Sequence, residues 1–293
     1  MQFITGITAA VYRYNPAIIA QAFASLDVLY PGRIGLGVGT GEAMNEVPLG
    51  FDWPSADIRV ARTTESIQII NKLWKKGRRS TRPKGEDEDD DYKGNNNSDN
   101  NSFVDFNGDY FKIKNAKLYT PPSSAKIPLY MAAVGEQATK AAAKHTDGLI
   151  TVTKPNKSKE IFEIFDKAAN EEGKDQKSLE KITKPKISYS EDYDKALKST
   201  EFWRASLLED VFNLNISDPR ELEQKAKEEV SDEKLRQSTL IITSIEDCIK
   251  PLEEYFKAGY TRLYPHSTSP DEIKFIQDFS KKVLPYFNDK SSK

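Results

Sequence analysis

The stretch Arg33-Ile34-Gly35-Leu36-Gly37-Val38-Gly39-Thr40-Gly41-Glu42-Ala43-Met44-Asn45-Glu46 constrains the fold of this chain more than any other. A short apolar strand runs directly into a Gly-Thr-Gly loop that ends in a carboxylate. An α/β protein presents backbone amides and one acid to a ligand in this way. Glycine turns also end many strands for steric reasons alone. The setting raises this one above them, with a strand before it and a helix after it.

Around that segment the chain keeps a βα rhythm. Residues 2–8 read as a strand, and Asn15-Pro16 supplies a cap and an N1 proline for a helix whose residues Ile18, Ile19, Ala22, Phe23 and Leu26 share a face. A second helix is expected from about residue 57 to residue 74. Strands follow near residues 128–132, 148–153, 185–190, 240–243 and 260–263. Helices near 136–145, 159–170 and 245–256 separate them, and a last helix starts at Ser269-Pro270-Asp271-Glu272 with a capping-box pattern. Parallel strands need helical crossovers, and this many usually close on themselves, so a single α/β domain over residues 1–293 built as a (β/α) barrel is expected, with a doubly wound open sheet as the alternative.

The rhythm breaks at residues 79–102. Glu86-Asp87-Glu88-Asp89-Asp90-Asp91 and the Asn-rich run after it offer almost no apolar surface to offset the entropy of ordering, so a disordered surface insertion is expected. Phe103-Val104-Asp105-Phe106-Asn107-Gly108-Asp109-Tyr110-Phe111 then alternates around Asn-Gly, a hairpin signal.

Composition excludes several classes. Charged residues are 30% of the chain but sum to −2, which leaves no field to recruit nucleic acid or an anionic membrane. Cys248 is the only cysteine, so neither an intrachain disulfide framework nor a Cys-ligated metal cluster can form. No stretch is long and apolar enough to span a bilayer, and residues 1–16 lack the pattern of a signal peptide. The expectation is a cytoplasmic protein acting on a small molecule, assembled as a homodimer.

Two segments carry a resemblance. Arg13-Tyr14-Asn15-Pro16-Ala17-Ile18-Ile19-Ala20-Gln21-Ala22-Phe23-Ala24 and residues 36–46 closely resemble the coenzyme F420-dependent glucose-6-phosphate dehydrogenases of the bacterial-luciferase-like superfamily. Echoes continue at residues 106–111, 128–135, 186–189 and Phe202-Trp203. The resemblance implies a (β/α)8 TIM-type barrel and hydride transfer between a deazaflavin and a substrate carbon, with FMN-dependent monooxygenation or a non-catalytic relative as alternatives. It places Thr40, Gly41 and Asn45 on the cofactor, Val134 and Gly135 at its phosphate end, and Gly6-Ile7 at a backbone bulge, often cis, behind the flavin ring. In the family the Gly-Thr-Gly-Glu loop follows the fourth strand, whereas here it follows the second. The expectation is therefore a barrel incomplete at the N-terminus, without the family's Asp-His pair.

Glu42 is the catalytic candidate, because a carboxylate held beside a cofactor and away from water can exchange a proton during hydride transfer. Its alternative role is to cap the loop or the next helix. Thr153 and Lys154 stand where the resemblance implies a phosphate grip, at shorter spacing. The family's other cationic ligands fall here on Asn213-Leu214 and Ser238, so glucose-6-phosphate itself is not the expected substrate. His145 reads as a helix-end cation, His266 follows the last strand, and Phe202, Trp203 and Cys248 read as packing residues.

Overall fold

A computed structural model describes residues 1–79 and 102–291. All but the two end residues of the acidic insertion thus lie outside the described residues. In chain order the elements are β1 (Phe3–Ile4), α1 (Pro16–Leu29), β2 (Ile34–Val38), α2 (Ala43–Glu46), α3 (Ala56–Arg79), β3 (Val104–Asn107), β4 (Lys112–Ala116), β5 (Leu129–Ala132), α4 (Glu136–His145), β6 (Gly148–Thr151) and α5 (Ser158–Glu171). They continue with β7 (Glu180–Thr183), β8 (Lys186–Tyr189), α6 (Tyr193–Ser199), a 3-10 helix (Glu201–Leu207), α7 (Pro219–Glu229), α8 (Asp232–Ser238), β9 (Leu240–Ile242), α9 (Ile249–Lys257), β10 (Arg262–Leu263), β11 (His266–Ser267), α10 (Glu272–Asp278) and α11 (Leu284–Ser291). No helix among the described residues is long and apolar enough to cross a membrane.

The chain forms two compact units. In the first (Met1–Gly41, Leu49–Ile150, Ile164–Leu179), β1, β2, β5 and β6 lie side by side and parallel, with Ile4 opposite Gly35, Leu36 opposite Leu129 and Met131 opposite Leu149. All five β2 residues are buried, as expected of a parallel strand covered on both faces. Ile67, Ile69, Ile70, Leu73 and Trp74 of α3 are buried too, and Trp74 Nε1 donates to the Ala20 carbonyl of α1 at 2.9 Å.

Helix α1 starts as its sequence requires, with the Asn15 side chain accepting from the Ala17 amide and Pro16 at the first position. Its buried face differs from the expected one. Ile19, Ala20, Phe23, Ala24 and Asp27 point inward, while Ile18 is 60% exposed and Leu26 is 38% exposed. Apolar residues lie all round this helix, so periodicity alone could not choose the face. Asp27 is fully buried because Ser124 meets its carboxylate twice at 2.7 Å, from backbone N–H and hydroxyl. Strands β3 and β4 make the expected antiparallel hairpin.

In the second unit (Glu42–Pro48, Thr151–Glu163, Glu180–Lys293), β7 pairs with β10, while β8 lies between β11 and β9. One register runs through both sets: Ile182 faces Arg262 and Lys186 faces His266. Each long strand is broken at the same level by a proline, in Lys184-Pro185 and in Tyr264-Pro265. The Tyr264 amide donates to Thr183 O at 2.9 Å and the His266 amide to Pro185 O at 2.8 Å, so the ladder continues across the breaks. Ile187, Tyr189, Ile242, Ile245, Cys248, Leu252, Phe275, Phe279 and Val283 form the core beneath. Cys248 packs as expected, and burial pushes its thiol up to about 12. Helix α10, expected to start at Ser269, is capped by Asp271, which accepts from the Lys274 amide, and not by Ser269, whose hydroxyl accepts from the Tyr189 amide at 2.9 Å.

Candidate active site

In the first unit the site residues gather at the C-terminal ends of parallel strands, where α/β folds bind ligands. The Gly6–Ile7 peptide is cis, as the resemblance implied. Thr8 bridges to Val38, its amide donating to Gly37 O at 2.8 Å, and Gly39 donates back to Thr8 O at 3.1 Å. This close approach requires glycine: a Cβ on Gly39 would lie 1.8 Å from Ile7 Cδ1. Thr40 is half-buried and Gly41 turns the chain at φ 83°. After β5, Val134 is 54% exposed, and Gly135 opens α4 as an N-cap with no side-chain capping bond and nothing within 4 Å of where a Cβ would stand. The first amides of that ten-residue helix are thus left open to an anion.

In the second unit Glu42 is the N-cap residue of α2, but its side chain makes no capping bond. The half-buried carboxylate instead accepts from Asn45 Nδ2 at 3.1 Å through one of its two oxygens. The turn is rooted by Met44, which packs with Ala205 and Leu207 against the Leu208, Leu222, Ala226 and Val230 cluster. Thr153 shares a hydroxyl contact of 3.0 Å with Thr151, and its carbonyl accepts from the Tyr260 hydroxyl. Lys154 Nζ donates to the Gln237 carbonyl near the end of α8. Beside the proline breaks, the His266 ring stands edge-on to Trp203, and the Lys186 ammonium lies 5.7 Å from the Trp203 centroid and donates to Ser206 Oγ. Burial first, then Lys184 and Lys186, hold the His266 pKa below its ordinary value.

The model of the luciferase-like monooxygenase family matches residues 1–262. The chain belongs to that family. The F420-dependent glucose-6-phosphate dehydrogenase of Microbacterium testaceum (strain StLB037) is 31% identical over 284 residues, covering 96% of this chain and 76% of the relative. That of Mycolicibacterium gilvum (strain PYR-GCK) is 32% identical over 292 residues, covering 97% and 78%. Among solved structures, an F420-dependent secondary alcohol dehydrogenase in complex with an F420–acetone adduct superposes with a TM-score of 0.84 at 34% identity, over 97% of this chain and 79% of that one. The fold is that of the luciferase-like barrels, and the open-sheet alternative falls away.

Within this luciferase-like chain, Gly6, Ile7, Thr40, Gly41, Val134 and Gly135 belong to the first unit, and Glu42, Asn45, Thr153 and Lys154 to the second. Glu42 and Asn45 meet directly. Phe202, expected to pack, is 81% exposed, so it contributes only its edge contact with Trp203. Sequence reasoning passed over the link of Lys186 to Trp203 and His266. The repeated X-Pro in Lys184-Pro185 and Tyr264-Pro265 was the available signal, since two prolines in neighbouring strands mark a shared break.

Proposed function

We propose that this chain is an F420-dependent oxidoreductase that moves a hydride between the deazaflavin and a small, uncharged alcohol or carbonyl compound. The observation that carries the reading is a Glu42 carboxylate released from capping and steadied by Asn45, at the end of a glycine loop in a chain whose F420-dependent relatives match it nearly end to end. The residues present fit the cofactor: Gly135 leaves the α4 N-terminus bare for a phosphodiester, with Val134 as an apolar neighbour. By the resemblance, Gly6, Ile7, Thr40 and Gly41 of the first unit would contact the cofactor, and Asn45 of the second would too. When bound, F420 supplies the two-electron carbon centre. In the oxidative direction Glu42 takes the substrate hydroxyl proton as the hydride leaves its carbon, and in reverse it returns that proton to the carbonyl oxygen.

The substrate class follows from the cations. Lys154 is engaged with the Gln237 carbonyl, and Lys186 with Ser206 and the face of Trp203. Asn213, Leu214 and Ser238 supply no charge where the resemblance implies a cationic clamp. A phosphate would lack the charge-assisted bonds it needs, whereas a neutral alcohol loses nothing. The reading includes a cytoplasmic homodimer, for which sedimentation is the test. Titration with F420 and with FMN, followed by fluorescence, tests the cofactor. Assay with a secondary alcohol against glucose-6-phosphate, following deazaflavin absorbance, tests the substrate. Saturable FMN binding without F420 binding overturns the reading.

A further inference from the structure

A cavity of about 210 Å³ opens in the first unit at the opposite, N-terminal ends of β5 and β6. Asn71 and Trp74 of α3 form one wall, Lys126 enters from the segment before β5, His145 and Asp147 from the turn between α4 and β6, and Lys174 from beyond α5. Three basic side chains therefore face one carboxylate.

That carboxylate is already engaged. Asp147 Oδ1 pairs with Lys126 Nζ at 2.5 Å and Oδ2 accepts from the Leu129 amide at 3.0 Å. Lys174 Nζ donates to Ala143 O at 2.8 Å and Thr146 O at 3.0 Å, so this lysine, and not His145, is the cation that closes the α4 C-terminus. An ammonium has three donors, and two carbonyls leave one over. The His145 ring, half-buried, has no hydrogen-bond partner among the described residues. Burial first, then Lys174, lowers its pKa; Lys144 acts in the same direction, and Glu172, itself paired with Lys144 at 2.9 Å, opposes them. Burial first lowers the Lys174 pKa, and Lys126 acts in the same direction as a like charge, against the attraction of Asp147 and Glu172.

We propose that this cavity binds a small tetrahedral oxyanion, a phosphate group either free or as a monoester, held by Lys126, Lys174 and the protonated His145 ring. An anion there relieves the repulsion among the three basic groups and offers an acceptor to the third Lys174 hydrogen and to the His145 ring. Phosphate is small enough for the cavity. The Trp74 wall closes one side, which favours a compact ion over an extended chain. Within the first unit this site stands apart from the strand end that carries residues 39–41, and it does not depend on the hydride-transfer reading.

The chain has two histidines, so their ring proton resonances can be assigned with His145→Gln alone. Inorganic phosphate, glycerol phosphate and chloride at matched ionic strength are titrated into the full chain. The expected result is a saturable shift of the His145 signal and a rise in its pKa with phosphate, while the His266 signal stays in place. Lys126→Ala weakens that binding by about tenfold or more, as loss of a charge-assisted contact does, and Lys154→Ala leaves it unchanged. Saturation by phosphate but not by the monoester identifies the free ion as the ligand, and the reverse identifies the ester. A His145 shift that chloride reproduces, or that Lys126→Ala leaves intact, overturns the proposal. Loss of F420 binding in the same preparation would count against the oxidoreductase reading only.

Discussion

The His266 imidazole stands edge-on to the Trp203 indole, ring centroids 4.5 Å apart at an interplanar angle of 83°. The register that sets Lys186 opposite His266 also places the ammonium near the same indole, so one aromatic ring is shared by a neutral histidine and a cation. Trp203 belongs to the 3-10 helix whose Ala205 and Leu207 pack against the same buried cluster as Met44, two residues after Glu42.

A pH dependence follows. The folded-state pKa of His266 lies below its unfolded value of about 6.5. Between the two values the unfolded chain binds more protons, so the stabilising effect of a neutral ring is complete above about 6.5 and is lost as pH falls through the folded pKa. His145 acts in the same sense. Melting temperature should fall on acidification below about 6.5, and His266→Gln should flatten part of that slope. Trp203→Ala, by admitting water, should move the His266 pKa upward in an NMR titration; no movement would mean that the indole does not shield the ring.

Glu65 holds the β3–β4 turn. Its carboxylate accepts from the Asp109 amide at 2.7 Å and from the Tyr110 and Phe111 amides at 3.0 Å each. Gly108 passes so close that a Cβ there would lie 2.3 Å from Glu65 Oε2. Glu65→Ala should cost about 2–3 kcal/mol, the scale of losing hydrogen bonds to a charged acceptor, and Gly108→Ala should also destabilise. Urea midpoints check both, and unchanged midpoints would show that water replaces the carboxylate without loss.

Those two sites show where sequence reasoning stops. The Asn-Gly pair announced a hairpin, and one formed, but the turn is organised by an acid forty-odd residues upstream on α3, which no local signal reveals. Strand β2 was legible because five buried residues in a parallel sheet leave an unbroken small and apolar run. The inward face of α1 was not, since its apolar residues surround the helix. The 185–190 strand was recognised, whereas β7 just before it was not, because Lys-Pro-Lys reads as a loop when its partner Tyr-Pro-His is out of view. The Gly-Thr-Gly-Glu loop was visible as a motif, yet Lys154 looked available to a phosphate until its bond to Gln237 O was seen.

That bond makes its own prediction. If Lys154 serves α8 and not a substrate, Lys154→Met should lower stability by about 1 kcal/mol, the net worth of a hydrogen bond, while KM for an uncharged alcohol barely moves. Thermal melts and steady-state assays decide it. A large rise in KM with unchanged stability would return Lys154 to the substrate.

Glu42→Gln is the sharpest test of the chemistry. The amide keeps the size of the side chain and an oxygen that can accept from Asn45 Nδ2, so folding and F420 affinity should stay near those of the parent protein. It cannot take up a proton at neutral pH, and turnover should fall by roughly a hundredfold or more, the usual contribution of a general acid or base. Asn45→Ala leaves the charge but frees the carboxylate to rotate, so a smaller loss, about tenfold, is expected with the pH profile displaced. If Gln at position 42 turns over normally, the proton goes elsewhere, and the neutral His266 ring becomes the group to replace next. If both variants instead melt early, Glu42 is a structural cap after all, despite the missing capping bond.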